Sequence, residues 1–313
     1  MKLLRGFQHS EELSAGTVAT IGNFDGVHCG HQALLRTLRI EATRLQLPLL
    51  VMLFEPQPGE YFLGAEAPVR LSTLREKLQV LGQCGVDYVL CVKFDRELAS
   101  MPAVEFAERY IFSSLQAKYL LIGEDFRFGR DRRGDIELLQ ELGSKQSCVV
   151  QKFPDFYIDK QRVSSTKIRH ALSSGALECS ARFLGRTYSM CGRVVRGAGL
   201  GRQWGIPTAN LNLNRTTLPL KGVFCVQVKL DGKPLFEGVA NIGCRPTVDG
   251  NRNVLEIHLL NVDASLYGEV MQVFFLHKLR DEIKFSSVDE LKARIYYDIA
   301  EAKSWFNCVH EII

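Results

Sequence analysis

The sequence predicts two domains: an α/β domain built on a parallel sheet, then an antiparallel β-barrel with one closing helix. Three observations predict this. From Thr17 to Phe153 short apolar runs alternate with amphipathic stretches. From Tyr188 to His277 strand-like runs follow one another with little helix between them. The C-terminal segment then carries one apolar helical stripe, Leu291, Ile295, Ile299, Ala302 and Phe306. At 313 residues the chain holds two domains of about 150 residues each, and domains of that size bury enough surface to stand without disulfides or a structural metal.

In the first domain, Thr17 to Ile21, Pro48 to Phe54, Asp87 to Val92, Lys118 to Ile122 and Cys148 to Phe153 read as buried strands. Leu34, Leu38, Ala42 and Leu45 form a helical stripe after the first of them. Thr73 and Glu76 have capping-box spacing before Leu74, Leu78 and Leu81, and Pro102 suits a helix start before Phe106 and Tyr110. Strands alternating with helices imply right-handed crossovers and a Rossmann-like parallel sheet.

In the second domain Tyr188 to Val195, Val223 to Leu230, Leu235 to Ala240, Val254 to Leu260 and Val270 to His277 are the predicted strands. Asp231-Gly232 joins two of them as a hairpin, because positive φ at the glycine matches the strand twist. Ser287 and Glu290 cap the closing helix. The α/β pattern ends and the β pattern begins near residues 176 to 185, which divides the chain into domains 1–180 and 181–313.

The formal net charge is +4, from 39 Lys and Arg against 35 Asp and Glu, a mild excess that suits a small polyanion at least as well as a nucleic-acid backbone. Nine cysteines, none in a C-x-x-C pair, indicate neither a disulfide framework nor a zinc site and point to a reducing cytoplasm. No signal-peptide core and no membrane-length apolar run is present, so a soluble chain without a membrane partner is expected.

Gly22, Asn23, Phe24, Asp25 and Gly26, followed by His28 and His31, run from the first strand straight into the helical stripe. Free N–H groups at such a junction attract anions, so these residues are a candidate ATP cradle. Two histidines three apart share one helical turn and can both serve charge building on a phosphorus centre. A strand–turn–helix corner needs glycines in any case, so a second element is required. Arg162, Ser165, Thr166 and Arg169 supply it: hydroxyls and cations around one helix start, suited to hold a triphosphate.

In the barrel, Gly197, Gly199, Gly201 and Gly205 crowd one segment beside Arg202. Glycines let a backbone approach a ligand closely, which makes Gly201 and Arg202 candidate nucleotide contacts. Thr208 and Asn210 offer hard oxygens two residues apart on one side of an extended chain, suitable for magnesium. Glu256 interrupts an apolar strand, so it should face a polar site or pair with Arg252 or Arg280.

His28-Cys29-Gly30-His31 with Ser164-Ser165-Thr166-Lys167-Ile168-Arg169 resembles the nucleotidyltransferases, and Gly123 to Gly129 with Phe54 to Pro58 narrows this to the FAD synthetase module. Gly201-Arg202 through Gly205-Ile206-Pro207-Thr208-Ala209-Asn210 resembles the riboflavin kinase fingerprint. Gly238 to Gly243, Glu256 to Leu260 and Leu279 to Glu282 agree with it in order. The chain is therefore similar to the bacterial bifunctional riboflavin kinase/FAD synthetase (FMN adenylyltransferase) family over nearly its whole length.

That resemblance implies ATP as co-substrate with Mg2+, and riboflavin, FMN and FAD as the other small-molecule partners. It makes His28 and His31 catalytic in the first domain and Glu256 the general base in the second. It places Asp125, Phe126, Phe128 and Arg280 near flavin, and Thr208 and Asn210 on the metal. Asn261 to Gly268 lacks an acid and an aromatic common in the family, and Gln57 stands where many members have histidine. Two other readings are a class I aminoacyl-tRNA synthetase fragment, for which the chain is short, and a nucleic-acid-binding barrel. The second would need basic and aromatic residues interleaved on one sheet face, where the strands show apolar alternation, so no nucleic-acid partner is expected. The sequence sets no oligomeric state.

Overall fold

Strand β2 (Thr17–Ile21), buried along its whole length, lies inside a six-stranded parallel sheet. Its companions are β1 (Lys2–Arg5), β3 (Leu49–Glu55), β4 (Tyr88–Lys93), β5 (Ala117–Gly123) and β6 (Val149–Phe153), in the order β1-β4-β3-β2-β5-β6. The computed structural model describes residues 1–6, 12–197, 199–213, 215, 217–247, 250–262 and 266–310; the side chains of residues 200, 202, 244–247, 250–253 and 310 also fall outside the description. The chain forms two compact units, Met1–Pro68 with Leu74–Ser165, and Val69–Thr73 with Thr166–Ile313.

In the first unit, alternate residues of each strand face opposite layers. Val18, Val51 and Val89 pack with Leu35, Leu38 and Leu81 of the helices Cys29–Leu45 and Leu74–Gln83. Ala19, Met52 and Leu90 pack with Phe106, Ile111 and Leu139 on the other face. Each fully buried aliphatic side chain contributes about 2 kcal/mol, so the two layers hold the sheet from both sides. Chain order reverses at β2, with β3 and β4 to one side and β5 and β6 to the other, which opens a crevice beyond the carboxyl ends of β2 and β5. Beyond β6 a small hairpin, β7 (Tyr157–Ile158) and β8 (Gln161–Arg162), leads to the helix Ser165–Ser173. The helix expected after Pro102 begins at Ala103 and continues as a π-helical stretch from Ala107 to Ser114.

The second unit is a closed antiparallel barrel of β9 (Ser189–Val195), β10 (Ala209–Asn212), β11 (Gly222–Leu230), β12 (Leu235–Thr247), β13 (Gly250–Leu259) and β14 (Val270–Arg280), in the order β10-β13-β12-β11-β14-β9. The β11–β12 hairpin turns at Asp231-Gly232 with Gly232 at φ +66°, as the sequence predicts. Phe224, Phe275 and Leu255 are fully buried, while the alternating residues Val223, Cys225 and Val239 pack against Ala302 and Phe306 of the closing helix Val288–His310. Ser287 caps that helix by accepting from Glu290 N–H at 3.2 Å. The Glu290 carboxylate accepts from Ser286 N–H and Oγ–H, which holds its pKa below the usual carboxylate value. No helix among the described residues is long and apolar enough to cross a membrane.

Candidate active sites

A cleft of about 290 Å³ lies at the reversal point of the parallel sheet. It is lined by the ends of β2 and β5, by His28, Gly30 and His31, and by Phe156 and Arg162. After Ile21 the chain turns sharply: Phe24 and Val27 both take positive φ, and Val27 N–H donates to the Phe24 carbonyl at 3.1 Å. That turn delivers His28 to the helix N-cap, where its Nδ1 accepts from His31 N–H at 3.3 Å. With that nitrogen acting as acceptor, neutral His28 carries its proton on Nε2. The two imidazoles stack at a centroid distance of 3.7 Å and 12°, and Phe24 covers His31 at 4.6 Å. A side chain at position 30 would press on the His28 ring, so Gly30 keeps that ring's place.

His31 Nδ1 is buried with no hydrogen-bond partner among the described residues. Burial, then the neighbouring His28 and Lys77, hold the His31 pKa well below its ordinary 6.5, so the ring is neutral at physiological pH. Asp25 is also buried, and its carbonyl accepts the hydroxyl proton of Ser165 at 2.9 Å. That bond ties the second sequence motif to the first across the cleft wall.

Of the other expected residues, Asp125, Phe126 and Arg162 line the cleft, and Thr166, Arg169 and Phe128 are not among its lining residues. Arg162 does line the cleft, but its guanidinium is already paired with Asp125 and, at 2.8 Å, with Asp155. Arg162 in turn holds the exposed Asp125 carboxyl below its usual range. Thr166 is exposed, and Arg169 donates from Nε to the Val69 carbonyl at 2.6 Å; both belong to the second unit. Phe126 lines the cleft. Phe128, expected near flavin, is a core residue 7% exposed, packed on Phe106 at 5.6 Å and stacked at 5.6 Å on Phe126, behind the cleft lining. The Phe128–Gly134 bridge turns that ring inward, onto the bare face of Gly134.

The second cavity, about 310 Å³, lies between the outer wall of the barrel and the closing helix. One row of the sheet builds its floor. Arg280 pairs in register with Val223, Val223 with Asn241, Asn241 with Glu256, and Glu256 with Asn210. Residues in one row point to one face, and all five line this cavity. Glu256 thus stands between two carboxamides. Thr208 lines the cavity as well, two residues before Asn210.

The glycine segment closes one side. It contains a single helical turn, Leu200–Gln203, rather than only loop. A Cβ on Gly201 would lie 2.5 Å from the Ile206 carbonyl and 3.1 Å from Thr208 Oγ1, and one on Gly197 would strike the Asn210 amide. Close approach therefore requires glycine at both positions. The Arg202 side chain lies outside the described residues, as do that of Arg252 and residues 263–265. Arg280 is held bidentately by the buried Asp298, with Nε–Oδ1 at 2.9 Å and Nη2–Oδ2 at 2.7 Å. A pairing of Arg280 with Glu256 is thereby replaced. Asn241 and Asp298 were not singled out in the sequence. The signal for Asn241 is the strand register; for Asp298 it is one acid on the apolar stripe of the closing helix.

Residues 10–167 match the FAD synthetase family and residues 184–306 the riboflavin kinase family. A Haemophilus influenzae bifunctional riboflavin kinase/FMN adenylyltransferase is 45% identical over 98% of this chain and 100% of its own. The Escherichia coli K12 protein of the same description is 48% identical, covering 98% of each chain. A solved Streptococcus pneumoniae structure described as a macrolide-efflux protein superposes with a TM-score of 0.83 at 29% identity, over 97% of this chain and 100% of that one. Both halves are thus matched in the order the two cavities occur, and relatives that pair them run from end to end: the chain belongs to the bifunctional riboflavin kinase/FMN adenylyltransferase family.

Proposed function

We propose that the two reactions of this riboflavin kinase and FMN adenylyltransferase are housed separately, the kinase in residues 181–313 and the adenylyltransferase in residues 1–180. The observation that carries this reading is that each cavity is lined within one unit by its own family's motif.

In the barrel cavity, Glu256 is the general base. It takes the proton of the riboflavin 5′-hydroxyl, the freed oxygen attacks the γ-phosphorus of ATP, and ADP leaves, giving FMN. Asn210 and Asn241 are the register neighbours of Glu256 on the two adjoining strands and line the same cavity. Thr208 and Asn210 present hard oxygens to one cavity and fit magnesium, which when bound would neutralise phosphate charge. Gly201 and Arg202 serve the nucleotide, and Arg280, fixed by Asp298, borders the flavin.

In the parallel-sheet cleft, a phosphate oxygen of FMN attacks the α-phosphorus of a second ATP and pyrophosphate leaves, giving FAD. No protein nucleophile is needed; catalysis is positioning plus stabilisation of charge. His28 and His31 donate to phosphate oxygens as that charge shifts, and Gly22 through Gly26 with Ser165 form the cradle. Thr166 and Arg169 belong to the same motif. Arg162 is held ready by Asp125 and Asp155 to exchange a carboxylate for a phosphate, and Phe126 offers a ring face to the flavin. A reducing cytoplasm suits the eight described cysteines, none of which is in a disulfide.

The test is an assay of the full chain with riboflavin, ATP and magnesium, followed by one with FMN in place of riboflavin. FMN and then FAD are expected in the first and FAD in the second. FMN without FAD would overturn the reading of the first cleft.

A further inference from the structure

Lys77 is one of the most completely buried side chains in the protein, with 1% of its surface exposed. It lies on the helix Leu74–Gln83, is not among the residues lining the cleft, and donates from Nζ to the Asn23 carbonyl at 2.5 Å. Burying an ammonium group is expensive, and a structural role alone is met more simply by a neutral side chain. Its placement against the ATP-cradle turn therefore asks for an electrostatic reason.

The carbonyl of Asn23 and the N–H of Phe24 belong to one peptide unit. In a trans peptide they point in opposite directions, so drawing the carbonyl toward Lys77 turns the Phe24 N–H away from Lys77, and Phe24 is one of the residues that line the cleft. Phe24 itself takes a left-handed φ of +46°. Phe24 N–H has no acceptor among the described residues. A cation on the oxygen side of a peptide polarises it and strengthens the donor at the other end.

We propose that Lys77 is a positioning residue for adenylyl transfer, which aims and polarises the Phe24 amide as a donor to the phosphate oxygens of ATP. This rests on the assignment of adenylyl transfer to that cleft. Lys77 acts through the peptide and does not touch substrate. The same charge is one of the influences that keep His31 neutral.

Two variants of the full chain test it. Lys77→Met removes both charge and hydrogen bond; Lys77→Gln keeps an N–H for the carbonyl and removes the charge. Both should lower kcat for FAD formation from FMN by about 100-fold, as loss of one preorganised donor does. KM for ATP should change less than about threefold. Riboflavin phosphorylation should stay within about twofold. Wild-type activity with Lys77→Gln would overturn the electrostatic role, and a rise in KM alone would make Lys77 a structural pin. Amide NMR of the wild-type chain needs no variant: magnesium pyrophosphate should move the Phe24 N–H resonance downfield, and an unmoved resonance overturns the proposal. Absence of FAD from the wild-type chain would instead remove the assignment beneath it.

Discussion

The hydroxyl of Ser165 donates to the carbonyl of Asp25 at 2.9 Å, joining two segments 140 residues apart in the chain. Asp25 lies in the turn that positions both histidines, so this one bond couples the start of the helix Ser165–Ser173 to the geometry of the cleft. Ser165→Ala should weaken the fold by about 1 kcal/mol, the net value of such a bond. FAD formation should fall while riboflavin phosphorylation is unchanged. Parallel assays of the two reactions, with a urea titration, check it.

His31→Ala removes a ring that is stacked on His28 and covered by Phe24. It should lower FAD formation at least about 100-fold and leave FMN formation intact. Loss of both activities in a folded variant would mean that the reactions are not divided between the cavities.

The same histidine sets a pH dependence of stability. Its folded pKa lies well below 6.5, so the unfolded chain binds a proton that the folded chain refuses. This contribution is therefore fully present above about pH 6.5 and is lost as pH falls from there toward the depressed folded value. Tm measured from about pH 7.5 down to about pH 5.5 should fall, and His31→Gln should flatten the decline. An identical slope in the variant would assign the acid sensitivity to other groups.

Much of this was legible in the sequence, and what was not had physical causes. The motif Gly22 to His31 and the strand Thr17–Ile21 are local in the chain, so their pattern places them at a strand–helix junction unaided. The edge strand Lys2–Arg5 and the barrel strand Ala209–Asn212 are four residues each, too short for periodicity to register, and only their partners define them. The row from Arg280 to Asn210 joins strands distant in sequence, so Asn241 cannot be known as a neighbour of Glu256 before register is fixed. Composition marks Arg162 as a phosphate ligand but carries no sign of the two carboxylates that already hold it. Phe126 and Phe128 look alike in sequence, yet only the first lines the cleft.

Glu256→Ala should reverse the pattern of His31→Ala. Loss of a general base lowers riboflavin phosphorylation by about 100-fold to 10,000-fold, while FAD formation from supplied FMN continues. Retained kinase activity would remove Glu256 from the role of base and leave it a polar member of its row.

The Arg280–Asp298 pair supplies the last prediction. Asp298 has only 3% of its side chain exposed, Arg280 12%, and Arg294 adds a second cation to the same carboxylate at 2.9 Å. Asp298→Ala would leave Arg280 nearly buried without its bidentate partner, a loss of about 3–5 kcal/mol when a buried pair is broken from one side. Asp298 sits on the closing helix and Arg280 on the floor row of the cavity, so that loss should loosen the helix from the barrel wall. The expected result is a lower Tm for the barrel together with a raised KM for riboflavin, because Arg280 no longer keeps one direction at the flavin border. Asp298→Asn retains the shape and one acceptor and should show a smaller fall in both. If Asp298→Ala lowered Tm but left KM for riboflavin unchanged, Arg280 would be a structural residue of the closing helix and not part of the flavin site.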